Sequence, residues 1–128
     1  MRGLVIVTLV LAACLCGCGR NADDAPKVLL DAVLMDGSGR PPVAGAIVVV
    51  KNGRVLALGD KSTISVPPDG VLFHLQGKFI FPSDPSVPLQ EGGPANLLIV
   101  NVNPASDPEY ARKTSGRMTD GHWDQYPQ

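Results

Sequence analysis

The chain has 128 residues, room for one domain. Eleven Lys and Arg against twelve Asp and Glu leave a net charge of −1, with no basic run or basic-aromatic patch, so nothing directs the chain to nucleic acid. All three cysteines, Cys14, Cys16 and Cys18, precede the body of the chain, which excludes a disulfide framework there.

Residues 1–18 read as a lipoprotein-type signal segment. Arg2 gives a positive start, and Gly3 to Ala13 is an uncharged apolar stretch, expected as a signal helix and short of the roughly 20 apolar residues that a permanent span needs. Leu11-Ala12-Ala13-Cys14 and Leu15-Cys16-Gly17-Cys18 both resemble the bacterial lipobox, in which a cysteine after small residues is lipidated and becomes the mature amino terminus. Cys18 gives the more usual signal length and leaves no stray thiol behind; Cys14 is the alternative. Cleavage would scatter the Cys-x-Cys-x-Cys run, so it is not read as a metal site. The expectation is an exported protein of the bacterial cell envelope, held to the membrane by its lipid, with residues 19–27 as a tether. Roughly 110 residues then remain, enough for one modest core.

Val28 to Met35 is predicted as a strand, closed by the turn cluster Asp36-Gly37-Ser38-Gly39. Ala46 to Lys51, with its β-branched Ile47-Val48-Val49-Val50, is a second strand. Asn52-Gly53 then separates it from Arg54 to Leu58. That dipeptide between two β runs predicts a hairpin, because a type I′ turn needs positive φ at both central residues. Val66-Pro67-Pro68-Asp69-Gly70 is a further turn. Val71 to Gln76 is a strand that Gly77-Lys78 is expected to reverse, so that Phe79-Ile80-Phe81 runs back until Pro82 stops it. Ser83 to Pro94 reads as a loop, and Asn96 to Val102 as the last clear strand. Residues 108–128 form a polar tail with a candidate hairpin at Asp120-Gly121. No helical apolar period persists beyond the signal, so the fold class is mainly β.

The stretch Gly45-Ala46-Ile47-Val48-Val49-Val50-Lys51-Asn52-Gly53-Arg54-Val55-Leu56-Ala57-Leu58-Gly59 resembles the amino-terminal hairpin of amidohydrolase-superfamily enzymes, the imidazolonepropionase- and dihydroorotase-like metal-dependent hydrolases. Leu30 to Gly39 and Gly77-Lys78-Phe79-Ile80-Phe81-Pro82 resemble the same enzymes. Glu91 to Pro104 is similar to their carboxy-terminal return to the small domain. The resemblance implies a small composite β-sandwich over residues 28–107, with the catalytic barrel missing. A barrel takes about 250 residues, whereas Pro82 leads almost at once to Glu91 through Ser83-Asp84-Pro85-Ser86, without the family's Asp-x-His-x-His motif. Asn96 and Asn101 stand where acidic residues are common in the family, and His74 where Asp is common.

The chemistry-bearing residues are sparse. His74 lies mid-strand between Phe73 and Leu75, and His122 lies beside Trp123 with Asp120 and Asp124 nearby. Such a set falls short of the several His and carboxylate ligands that lower the pKa of a metal-bound water. Gly92-Gly93-Pro94 lacks the Lys and Ser/Thr of a phosphate loop, and Asp36-Gly37-Ser38-Gly39 is a turn, not a nucleophile elbow. No metal, cofactor or catalytic residue is therefore expected. The favoured reading is a membrane-anchored, non-catalytic binding or scaffolding module. The alternatives are a truncated hydrolase of C–N bonds other than peptide bonds, inactive or complemented by a separate barrel, and an unrelated ligand-binding envelope lipoprotein. Loss of the barrel should leave apolar surface or an open edge, which predicts a homodimer or a protein partner.

Overall fold

The computed structural model describes residues 25–127, so the signal segment with Cys14 and Cys18 lies outside the described residues. Eight strands follow in chain order: β1 (Lys27–Leu34), β2 (Val43–Lys51), β3 (Arg54–Asp60), β4 (Val71–His74), β5 (Phe79–Pro82), β6 (Leu97–Val100), β7 (Thr114–Thr119) and β8 (His122–Gln125). A 3-10 helix, Tyr110–Lys113, leads into β7. The mainly β class holds among the described residues.

Two hairpins rest on the turn chemistry of their central pairs. Asn52 and Gly53 adopt φ of 55° and 81° between β2 and β3, and Asp120 and Gly121 adopt 48° and 83° between β7 and β8. Positive φ at both positions gives the right-handed twist that antiparallel strands require.

The expected reversal at Gly77-Lys78 does not occur. β4 and β5 both run parallel to β1: Val71 to His74 pair with Lys27 to Leu30, and Phe79-Ile80 with Val33-Leu34. The intervening residues only jog. Leu75 N–H donates to Leu30 C=O, and Val33 N–H donates to Lys78 C=O. The jog lies opposite a bulge in β1, where Asp31 takes φ of 69° and the register shifts between Leu30 and Ala32. Gly77 turns the chain, yet pairing with β1 decides where the chain goes.

A two-sheet sandwich is likewise not what forms. All eight strands belong to one sheet, ordered β3-β2-β1-β5-β6-β7-β8 with β4 also on β1. The reason is that β1 is paired along both edges, with β2 on one side and β4 then β5 on the other, so the chain never starts a second sheet. Instead the sheet bends until its ends meet. Gly92 N–H donates to Val55 C=O, Val55 N–H to Gly93 C=O, and Ala95 N–H to Gly53 C=O, while Gly121 N–H donates to Ala95 C=O. The strip Gly92–Ala95 thus ties the β2–β3 turn to the β7–β8 turn. The sheet also extends past residue 107, where a polar tail is expected. Met118 of β7 is fully buried, and it pairs with Leu97.

The bend encloses the main core. Leu29, Ala32 and Leu34 of β1 meet Val48 and Val50 of β2, Ile80 of β5, Leu97 and Ile99 of β6 and Met118 of β7. On the opposite face Val28, Ile47 and Val49 form a smaller cluster, packed by Ile64 from the β3–β4 loop. Two covered faces explain why the run Ile47-Val48-Val49-Val50 lacks polar alternation.

Candidate functional site

The two hairpin turns that close the sheet also frame a cleft of about 480 Å³. Its walls include Lys27 from the start of β1, Lys51 and Arg54 on either side of the first turn, and Asp120, Gly121 and His122 from the second. Backbone contact fixes the two turns against each other: a Cβ on Gly121 would lie 2.6 Å from Gly53 Cα. Arg54 Nη1 donates to Gly92 C=O at 2.8 Å, and Asp120 N–H donates to Asn96 Oδ1 at 2.7 Å. Among the described residues no ion pair neutralises Lys27, Lys51 or Arg54. Among the described residues Asp120 is the one acidic residue that lines the cleft. The arrangement gathers positive charge around an open depression. Among the described residues its lining holds no Ser, Thr, Cys or Tyr side chain to serve as an activated hydroxyl or thiol nucleophile.

Of the residues singled out from the sequence, His122 and Asp120 line this cleft and the others fall elsewhere. His74 lies exposed on β4, at a shallow pocket with Leu72, Phe73, Leu75, Lys78 and Pro127, and His122 lies on the first cleft. Asp124 accepts a hydrogen bond from the Thr119 hydroxyl, which ties it to β7. Among the described residues no three His, Cys, Asp or Glu side chains come together as a metal site. Asn96 and Asn101 do structural work: the first caps the second turn, and the second accepts from Lys78 Nζ at 2.7 Å. Ser38 is part of an Asx turn, with its N–H and hydroxyl both donating to Asp36 Oδ1, and an ion pair from Asp36 to Arg40 at 3.6 Å closes it. Gly92 and Gly93 spend their N–H groups on Val55 and Gln90 carbonyls, leaving neither for a phosphate. A second depression, about 680 Å³, lies between Asp36, Arg40, Leu58 and Glu91 and mixes both signs of charge.

The sequence reading missed the convergence of Lys27, Lys51 and Arg54. Lys51 and Arg54 are legible as cross-strand neighbours, since they flank a two-residue turn. Lys27 joins them only through the register of β1 on β2, where it pairs with Val50.

No protein-family profile matches the chain, and no curated protein sequence matches it. Solved structures do. Molinate hydrolase is similar over 46% of this chain and 13% of its own, at 30% identity and a TM-score of 0.41. Phenylurea hydrolase B follows at 21% identity and 0.42 over 45% of this chain and 13% of its own. E. coli guanine deaminase follows at 17% and 0.40, over 45% of this chain and 16% of its own. A structure described as an amidohydrolase is similar at 17% identity and a TM-score of 0.40, over 45% of this chain and 14% of its own. The chain spans only a small share of each of those proteins' length.

Three aspartates, Asp60 and Asp84 exposed and Asp107 half-buried, are held below the ordinary range for a carboxylate. Asp60 accepts the Ser62 N–H and then its hydroxyl, Asp84 the Ser86 hydroxyl and then its N–H, and Asp107 the Lys113 ammonium and then the Glu109 N–H. A pKa depressed on folding contributes stability that is present above the unfolded value and is lost as pH falls through the folded one. The urea midpoint is therefore expected to hold from pH 7 to 5 and to drop below about pH 4. The combined Asp84→Asn and Asp107→Asn variant should flatten that acid limb by a modest amount, because these sites are solvated. An acid limb equally steep in the variant would contradict this.

Proposed function

We propose that the chain is a lipid-anchored, non-catalytic β module of the bacterial cell envelope, built like the small domain of an amidohydrolase and serving to bind or scaffold. Cys18 is the anchoring residue, with Cys14 as the alternative. The observation that carries the reading is the short return from β5 to β6. Ser83 N–H donates to Asn96 C=O at 3.1 Å, and Leu89 N–H to Asp36 C=O at 2.8 Å. Leu89 is 2% exposed and belongs to the main core. This short, bonded connection supports the reading, because the resemblance implies a catalytic barrel between these two strands.

The outer edge of β8, which pairs with β7 alone among the described residues, offers a pairing surface for a second copy or a protein partner. Metal and substrate have no assigned role in this function.

The test is to express the full chain in a bacterial host and purify it from membranes. Intact mass, zinc and manganese content, and turnover of cyclic amides and N-acyl amino acids are then measured. The expected result is a lipid-modified amino-terminal cysteine at position 18, little metal and no turnover. Stoichiometric metal with turnover overturns the non-catalytic reading, and an unmodified amino terminus overturns the anchor.

A further inference from the structure

The cleft framed by the two turns lies where the chain enters the fold. Ala25, the first described residue, lines it together with Lys27, Lys51 and Arg54. We propose that this cleft is the face the protein lays on an anionic lipid surface. The inference rests on the anchoring reading above and adds an orientation to it.

Two independent observations carry it. The first is reach. Cys18 precedes Ala25 by seven residues, which span at most about 25 Å when extended. The end of the molecule that holds Ala25 is therefore the end held nearest to an anchored lipid. From Cys14 the limit would be about 40 Å. The second is charge. The chain as a whole carries −1, yet three of its long basic side chains border this one cleft against, among the described residues, a single carboxylate, Asp120. Lys51 and Arg54 are exposed beside the Asn52-Gly53 turn, and no ion pair among the described residues neutralises them. Lysine and arginine on flexible stems suit a surface of headgroups, since they need no fixed partner geometry. Asp23 and Asp24 of the tether oppose the attraction, so the cleft itself must supply it.

Attraction of this kind acts within a Debye length of about 8–10 Å and is screened by salt. Each basic residue at such a surface is worth about a fivefold gain in occupancy. The other lysines serve as internal controls, because Lys61 and Lys113 lie outside the cleft lining and Lys113 is paired with Asp107.

The experiment reconstitutes the full lipidated protein into vesicles of phosphatidylcholine alone or of phosphatidylcholine mixed with phosphatidylglycerol. Acetylation rates of each lysine are then followed by mass spectrometry. The expected result is that Lys27 and Lys51 react about fivefold more slowly on the anionic vesicles. Lys61 and Lys113 should be unchanged, and the protection should vanish in high salt. Lys51→Glu should remove the protection at Lys27. Equal rates on both vesicles overturn the proposal. Where the purified chain carries no lipid, the anchoring reading fails by itself, and the face is read from co-sedimentation of that chain with the same vesicles. Binding to the anionic vesicles alone, abolished by Lys51→Glu, then supports the face, and no binding overturns it.

Discussion

Replacing Gly121 by alanine is expected to destabilise the fold by about 2–5 kcal/mol, the left-handed backbone costing about 1–2 and forced contact about 1–3. Gly121 sits at φ of +83°, which an L side chain rarely adopts. An added Cβ would also lie 2.6 Å from Gly53 Cα and 3.0 Å from Gly53 N. Those neighbours are backbone, so no side chain can swing aside. Relief would require the two hairpin turns to part, and with them the hydrogen bond from Gly121 N–H to Ala95 C=O. Gly92 supplies the comparison, because it has φ of +82° and nothing within 4 Å of its would-be Cβ. Gly92→Ala should cost only the backbone share, about 1–2 kcal/mol. Urea unfolding of the two variants checks the pair, and equal losses would mean that the turns are not held in contact.

The second large effect is expected at Leu89, which lies in no strand. Leu89→Ala should cost about 2–5 kcal/mol, the range for a buried leucine whose surroundings relax only in part. Its side chain is 2% exposed and packs in the main core, and its N–H is bonded to Asp36 C=O. Val87, two residues earlier, is 48% exposed, and Val87→Ala should fall within about 0.5 kcal/mol of the parent. Similar small losses for both would show that Ser83 to Pro94 is a passive connection. A large loss at Leu89 alone makes the segment part of the core.

These two positions also mark where the sequence stops being informative. Both Asn-Gly and Asp-Gly turns are legible, because the requirement for positive φ is local and only a few residues meet it. Their contact with each other is not legible, since nothing in either dipeptide refers to the other. Gly77-Lys78 looks like a reversal for the same local reason. It fails as one because the partner of Phe79-Ile80 is Val33-Leu34, more than forty residues away, in a parallel register. The single sheet follows from the same cause: which edges of β1 are occupied depends on long-range pairing, and the alternation of apolar residues is the same in one bent sheet as in two stacked ones. Leu89 is hidden among prolines and polar residues without periodicity, so its burial could not be read. At the candidate site, Lys51 and Arg54 were in plain view as turn neighbours, and Lys27 needed the register of β1 on β2.

The hydrogen bond between Ser83 and Asn96 has a consequence for how such a chain can grow. Residues 84–87 between them are exposed, and Val87 N–H closes a small local turn on Asp84 C=O. Insertion within them is expected to leave the pairing of β5 with β6 untouched. Closing a longer loop adds only about 0.6 kcal/mol per doubling of its length. A folded unit whose own ends are neighbours adds less disorder still. This point on the surface is therefore a port, at which an inserted domain is expected to be tolerated while the sheet around it keeps its register.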